Sequence, residues 1–232
     1  MSQTMNDKSY EILDAVLKHV PFEGWTSRAL KMAMESTELP VGAEHIYAPD
    51  GALGLLRVWS DQLDQQMVEA IENRGFDNMR IRDKVTEAVW LRLELLRPHQ
   101  EAARRAVSRL SLPTASGQAA AQLWASADAI WTAMGDTSED YNYYTKRTIL
   151  SGVIGSTLLA WLADDTDEKS EARAFLQRRI ENVMQFEKFK GQTLSVMSNL
   201  PKPQDILPLI QKGPLSPEGR LRKGSSRRRR RY

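Results

Sequence analysis

The chain contains no cysteine, which excludes disulfides, thiolate nucleophiles, iron–sulfur clusters and cysteine-ligated zinc together and fits a reducing compartment. Histidine is scarce. His19, His45 and His99 are dispersed, and none sits in a Glu-x-x-His or His-x-x-x-His pair that would aim two ligands from one helix face, so no metal site is expected. Long apolar runs are missing too: the longest uncharged stretch is residues 148–163, short of the roughly 20 apolar residues that a bilayer span needs, and it reads as a core helix. Met1 to Lys8 shows neither an apolar h-region nor an Arg-rich amphipathic pattern, so no secretory signal or transit peptide is expected and the cytoplasm is the expected location. Gly-x-Gly-x-x-Gly after a strand, Gly-x-x-x-x-Gly-Lys and Gly-x-Ser-x-Gly are all absent. Carboxylates are plentiful, but sequence alone pairs no two of them across a cleft. No catalytic residue and no cofactor is assigned, and binding is the stronger reading.

What is present is a helical pattern. Hydrophobic residues make up 41% and charged residues 27%, the balance of a soluble globular protein. Apolar residues recur at three- and four-residue steps and period-two runs are absent, so the fold class is all-α. A first helix is expected over about Tyr10 to Val20, burying Ile12, Leu13, Val16, Leu17 and Val20 and stopping at Pro21, with Phe22 and Trp25 closing its face. Thr26 or Ser27 caps a short helix, and another opens near Pro40, which is helix-turn-helix spacing. From residue 51 a stripe of Leu56, Trp59, Leu63, Met67, Ala70 and Ile71 faces a core, with Asp61, Asp64 and Glu69 turned away. Further helices are expected over Ile81 to Leu96, 100–110, about 120–134, 137–163 and about Ser170 to Phe189, the last ended by Gly191. The 137–163 helix is apolar all round and should be buried all round. Its small residues Ser151, Gly152, Gly155 and Ser156 either admit a close neighbour or leave space along its flank. These elements group as a helix-turn-helix-like N-terminal subdomain (1–57), a helical domain (58–190) and a Pro-rich, then Arg-rich tail (191–232), whose last ~20 residues read as disordered.

Charge is unevenly placed. Residues 201–232 hold ten Lys or Arg against Asp205 and Glu218, a balance of +8 that leaves −6 for residues 1–200 in a chain of net charge +2. The folded part therefore offers no broad phosphate-binding surface. Between residues 26 and 50, Arg28 and Lys31 stand against Glu35, Glu38, Glu44 and Asp50, and no cation occurs from Met32 to Leu56. A DNA-reading helix needs several cationic contacts, so DNA binding is disfavoured and the motif reads as scaffold.

The run Glu44-His45-Ile46-Tyr47-Ala48-Pro49-Asp50-Gly51-Ala52-Leu53 resembles the end of the TetR recognition helix and its entry into the next helix. More specific is Asp140-Tyr141-Asn142-Tyr143-Tyr144-Thr145-Lys146-Arg147-Thr148-Ile149-Leu150, which resembles the hallmark of the Coq-nine family. The similarity covers roughly residues 10–190. It implies a TetR-like, dimeric, non-catalytic accessory protein of ubiquinone biosynthesis. Such a protein binds isoprenoid quinone intermediates or phospholipid in an apolar tunnel and assists the di-iron demethoxyubiquinone hydroxylase. On this resemblance residues 58–190 are the lipid-binding and dimerisation domain, Arg147 meets a lipid headgroup, and the lipid site comprises Arg147, Tyr144, Leu150, Val153, Ile154, Leu158 and Trp161. The surface offered to the hydroxylase comprises Ile130, Ala133, Asp140, Tyr143 and Tyr144.

Read from the residues alone, two accounts of the Tyr143 to Arg147 segment stand side by side. Its aromatic rings rest on lipid while Arg147 meets a phosphate, or Tyr143 and Tyr144 cap a core helix and Arg147 pairs with a neighbouring acid. For the tail, the apolar cluster Ile206, Leu207, Leu209 and Ile210 with the basic run Arg227, Arg228, Arg229, Arg230 and Arg231 forms a two-part anchor for an anionic membrane surface. A solvated end and an RNA-binding end are the other readings. The function expected is a lipid-presenting accessory protein, a homodimer held peripherally at the inner face of the membrane. The alternative is a TetR-type ligand-responsive repressor.

Overall fold

The computed structural model describes residues 2–76, 78–139 and 141–198, with side chains described for residues 6–185 within those ranges. The three- and four-residue spacing becomes helix throughout, and no strand occurs among the described residues. In chain order the elements are α1 (Ser2–Glu23), α2 (Ser27–Glu35), α3 (Glu44–Tyr47), α4 (Gly51–Arg74), α5 (Ile81–Glu94), a 3-10 turn (Arg97–His99), α6 (Gln100–Leu110), α7 (Ser116–Ala133), α8 (Tyr141–Ala163) and α9 (Ser170–Ser198). Residues 1–183 form one compact unit, and residues 184–232 group separately; the described part of the latter is the end of α9.

Within the first unit, α1 packs on α2, α3, α4 and α6, while α7 lies between α4 and α8. Ile12, Leu13, Val16, Leu17 and Val20 are all buried, as their spacing requires. The helix does not stop at Pro21. A proline in the last turn removes one donor and leaves the earlier ladder intact, so α1 continues to Glu23, where Gly24 adopts φ +69° and its N–H closes on the Val20 carbonyl at 2.8 Å. Phe22 consequently turns out to solvent, 83% exposed, and Trp25 alone covers the core: it stacks on Trp59 at 5.4 Å between centroids, and its Nε1 donates to the Ala102 carbonyl at 3.1 Å. Thr26 caps α2 by accepting from the Ala29 N–H. The element expected to open at Pro40 is a single turn, Glu44–Tyr47, reached through turns at 41–43.

Three further expectations are corrected. Ile81, at the exposed start of α5, lies outside the core. Gly191 does not end the last helix, which runs through it to Ser198. Nor is α8 buried all round: Tyr141, Tyr144, Thr148, Gly152 and Leu159 form an exposed, uncharged stripe.

The small residues of α8 divide between the two readings given to them. A Cβ at Gly155 would sit 3.2 Å from Leu123 Cδ1 on α7, so this glycine permits close approach, whereas a Cβ at Gly152 would meet nothing within 4 Å. Gly152→Ala is therefore expected to stabilise the chain by about 0.5–1 kcal/mol, through the lower backbone entropy of its unfolded state. Urea unfolding of the two proteins side by side checks this, and an unchanged or lower midpoint would contradict it.

Candidate functional site

Two polar clusters are set into this apolar frame, and one borders a cavity. The cavity, about 370 Å³, lies between α4 (Leu56, Trp59, Ser60, Leu63), Arg92 of α5, Leu96, α6 (Ala103, Ala106, Val107, Leu110), α7 (Ser116, Ala119, Gln122, Leu123) and α8 (Gly155, Leu158, Leu159). Its lining is mostly aliphatic, and its size is that of a site for one small ligand. Ser111, Ser116 and Leu159 are exposed and mark its open side, while Ser60 and Arg92 are buried and mark its inner end.

The inner end is polar because three helices contribute to one network. Arg92 Nε donates to Asp64 Oδ1 at 2.6 Å, Arg92 Nη2 donates to Ser60 Oγ at 3.0 Å, and Ser126 Oγ lies 3.0 Å from Asp64 Oδ2. Asp64 is thus a correction to the sequence reading. It faces the core, because an arginine 28 residues away neutralises it there. The signal was available. Ser60 and Asp64 lie four residues apart inside an apolar stripe, and Arg92 sits between the buried Leu91 and Leu93. A charge within an apolar stripe implies a buried partner.

The second cluster holds the start of α8 against α7. Arg147, with a side chain only 3% exposed, donates from Nε to Asp128 Oδ1 at 2.5 Å and from Nη1 to Asp136 Oδ2 at 3.2 Å. Its guanidinium lies 3.4 Å from the Tyr143 ring centroid. Lys146 Nζ and Ser138 Oγ also donate to Asp136 Oδ1, at 2.6 and 2.8 Å. Burial alone pushes the Asp136 carboxyl up, but the hydrogen bonds from Lys146, Ser138 and Arg147 outweigh it and hold the group at about 2. Asp164, in the turn between α8 and α9, is also held at about 2, chiefly by hydrogen bonds from the Thr166 side chain and the Ala172 N–H. Both folded-state values are depressed, so the stability these groups confer is complete above the ordinary carboxylate value of 3.8 and is lost as pH falls towards 2. Thermal unfolding across that window should show a steep loss for the parent chain and a shallower one for Asp136→Asn; parallel profiles would contradict the assignment.

The lipid-site residues expected from sequence are not brought together. Leu158 lines the cavity. Leu150, Val153, Ile154 and Trp161 are buried in the core outside its lining, Tyr144 is 61% exposed, and Arg147 is taken up by Asp128 and Asp136. Of the two readings of Arg147, the structure shows the ion pair. On the partner surface, Ile130 is fully buried and cannot be offered to another protein. Ala133 and Tyr143 are half-buried, and Tyr144 lies on an aromatic cluster with Tyr143 and Trp124, its ring centroid 5.2 and 6.1 Å from theirs. Asp140, Ile206, Leu207, Leu209, Ile210 and Arg227 to Arg231 lie outside the described residues. Sequence reasoning missed Ser60, Arg92 and Gln122 as cavity residues.

The segment that carries α7, α8 and the start of α9, residues 116–187, matches the COQ9 family model. Over 182 residues the chain is 30% identical to the ubiquinone biosynthesis protein COQ9, mitochondrial, of Rattus norvegicus, an alignment covering 75% of this chain and 58% of the rat protein. The chain belongs to the COQ9 family. Other members sharing the rat protein's name are similar to it: that of Drosophila melanogaster is 29% identical over 187 residues, covering 79% of this chain and 57% of the fly protein. The human COQ9 protein is 29% identical over 182 residues, covering 75% and 57%. This COQ9-family chain thus spans a little under three fifths of the length of the curated relatives it matches. Within the COQ9 match lie both the Asp136–Arg147 clamp and the α7 and α8 walls of the cavity. Among its described residues, no helix is long and apolar enough to cross a membrane.

Proposed function

We propose that this chain is a lipid-binding accessory protein of ubiquinone biosynthesis, which holds an isoprenoid quinone intermediate or a phospholipid and presents it to the di-iron demethoxyubiquinone hydroxylase. The observation that carries this reading is the aliphatic cavity between α4 and α8, taken with membership of a family whose relatives are named for that pathway. The absence of catalysis belongs to the same proposal. The polar side chains lining the cavity are serines, one glutamine and one arginine, and none of these serves readily as a general base.

In this reading Tyr143, Tyr144 and Ala133 meet the hydroxylase. The uncharged stripe of α8 takes a second copy of the chain, making a homodimer, and the tail from Ile206 to Arg231 rests on the inner face of the membrane. A repressor is not favoured, because α3 is a single turn with no Lys or Arg in it.

Mass spectrometry of organic extracts from the purified full chain tests the proposal. The parent should carry isoprenoid quinone or phospholipid near one equivalent. Leu158→Trp, which fills the cavity from its half-buried wall, should lower that content severalfold while the protein remains folded by circular dichroism. An empty parent chain, or equal loading of the two, would sink the idea.

A further inference from the structure

The inner end of the cavity has a chemistry of its own. Arg92 is charge-compensated: its Nε is engaged by Asp64 at 2.6 Å and its Nη2 by Ser60. The remaining nitrogen, Nη1, has no hydrogen-bond partner among the described residues. Gln122 Nε2 is shut off from solvent and likewise has no partner among them. Ser60 Oγ accepts from Arg92, and its own hydrogen is given to no described residue. Three donors without a described acceptor therefore belong to residues that line one largely aliphatic cavity; the Gln122 amide nitrogen is the one of them shut off from solvent, and a buried donor without an acceptor is a state that a bound molecule relieves.

We infer that this end of the cavity takes a neutral head group bearing carbonyl oxygens on an apolar body, held by Gln122, Arg92 and Ser60, and that it discriminates against anionic heads. The inference rests on the cavity being an apolar-ligand site and adds which end of the ligand goes inward and what it must carry. An anion gains little there, because the charge of Arg92 is already spent on Asp64, and a phosphate or carboxylate would lose its hydration for a site of no net charge. A pure hydrocarbon fills the aliphatic part but leaves the donors unsatisfied. A quinone ring and a glyceride ester share what fits: several acceptor oxygens, no charge and an attached apolar chain.

The test is calorimetric titration of the delipidated full chain with four probes of matched tail length: a decyl-substituted benzoquinone, monodecanoyl glycerol, decylbenzene and decyl phosphate. The quinone, the ester or both should bind about tenfold more tightly than decylbenzene, the gain of one or two buried hydrogen bonds, and more tightly still than decyl phosphate. Whichever of the two binds better identifies the source of the carbonyl. Gln122→Leu removes the amide at similar volume and should erase most of that advantage while leaving decylbenzene unchanged; Ser60→Ala is the second variant should the first fail to fold. If decylbenzene binds while decyl phosphate matches or exceeds the quinone and ester, or if both variants leave the ranking intact, the head-group inference is overturned and the apolar cavity stands. If none of the four binds, or Leu158→Trp changes nothing, the cavity reading itself falls.

Discussion

Arg147→Ala is expected to destabilise the folded chain by about 3–5 kcal/mol, the usual cost of leaving one member of a buried ion pair without its partner. The arginine is 3% exposed and Asp136 6% exposed, and the two are joined to Asp128, Lys146 and Tyr143 in one cluster. Removing the guanidinium strands the Asp136 carboxylate with Lys146 as its remaining cation and frees the start of α8 from α7. Urea unfolding with both single variants and the Asp136→Asn/Arg147→Ala double variant separates the pair from its surroundings, and the double variant should be less destabilised than the singles summed. Tyr144→Ala, which alters an exposed ring, should move stability by about 0.5 kcal/mol or less. A stable Arg147→Ala protein that has lost only its lipid would overturn this account and return the arginine to a head-group role.

The second large effect is at the inner end of the cavity. Arg92→Met leaves Asp64 buried beside Ser126 without a cation and should also cost about 3–5 kcal/mol. Replacing both partners, as Asp64→Leu/Arg92→Met, should recover most of that loss, because apolar residues of similar volume often replace a buried ion pair at little or no cost. That recovery would mean that the pair serves something other than stability, which is consistent with the donors without acceptors on residues that line the cavity. A double variant as unstable as the two singles added together would show instead that the ion pair is itself a net stabilising element.

What was legible in sequence followed from periodicity. The buried face of α1, the apolar stripe of α4 and the all-helical class all depend on which residues repeat every three or four positions, and a single chain displays that directly. Helix ends were read less well for a physical reason: Pro21 lies in a last turn, where a missing donor matters little, and Gly191 lies inside a helix that continues past it. The site was obscured because its members come from different helices. Nothing in the spacing of α8 tells that Arg147 finds Asp128 and Asp136, or that Leu158 alone of the expected lipid residues lines the cavity. Asp64, expected to face away, and Arg92 carried a signal that went unused, since a charge within an apolar stripe announces a partner even when it cannot name one.

A cavity of about 370 Å³ bounded by five helices also makes occupancy and folding one equilibrium. A molecule that binds only the folded chain raises its unfolding free energy by RT ln(1 + [L]/Kd), about 2.7 kcal/mol at a hundredfold excess over Kd. If the cavity holds a ligand, the empty chain would be the shorter-lived species, more open to proteolysis than the filled one, and a melting curve taken on the protein as it leaves the cell would already measure how full it was.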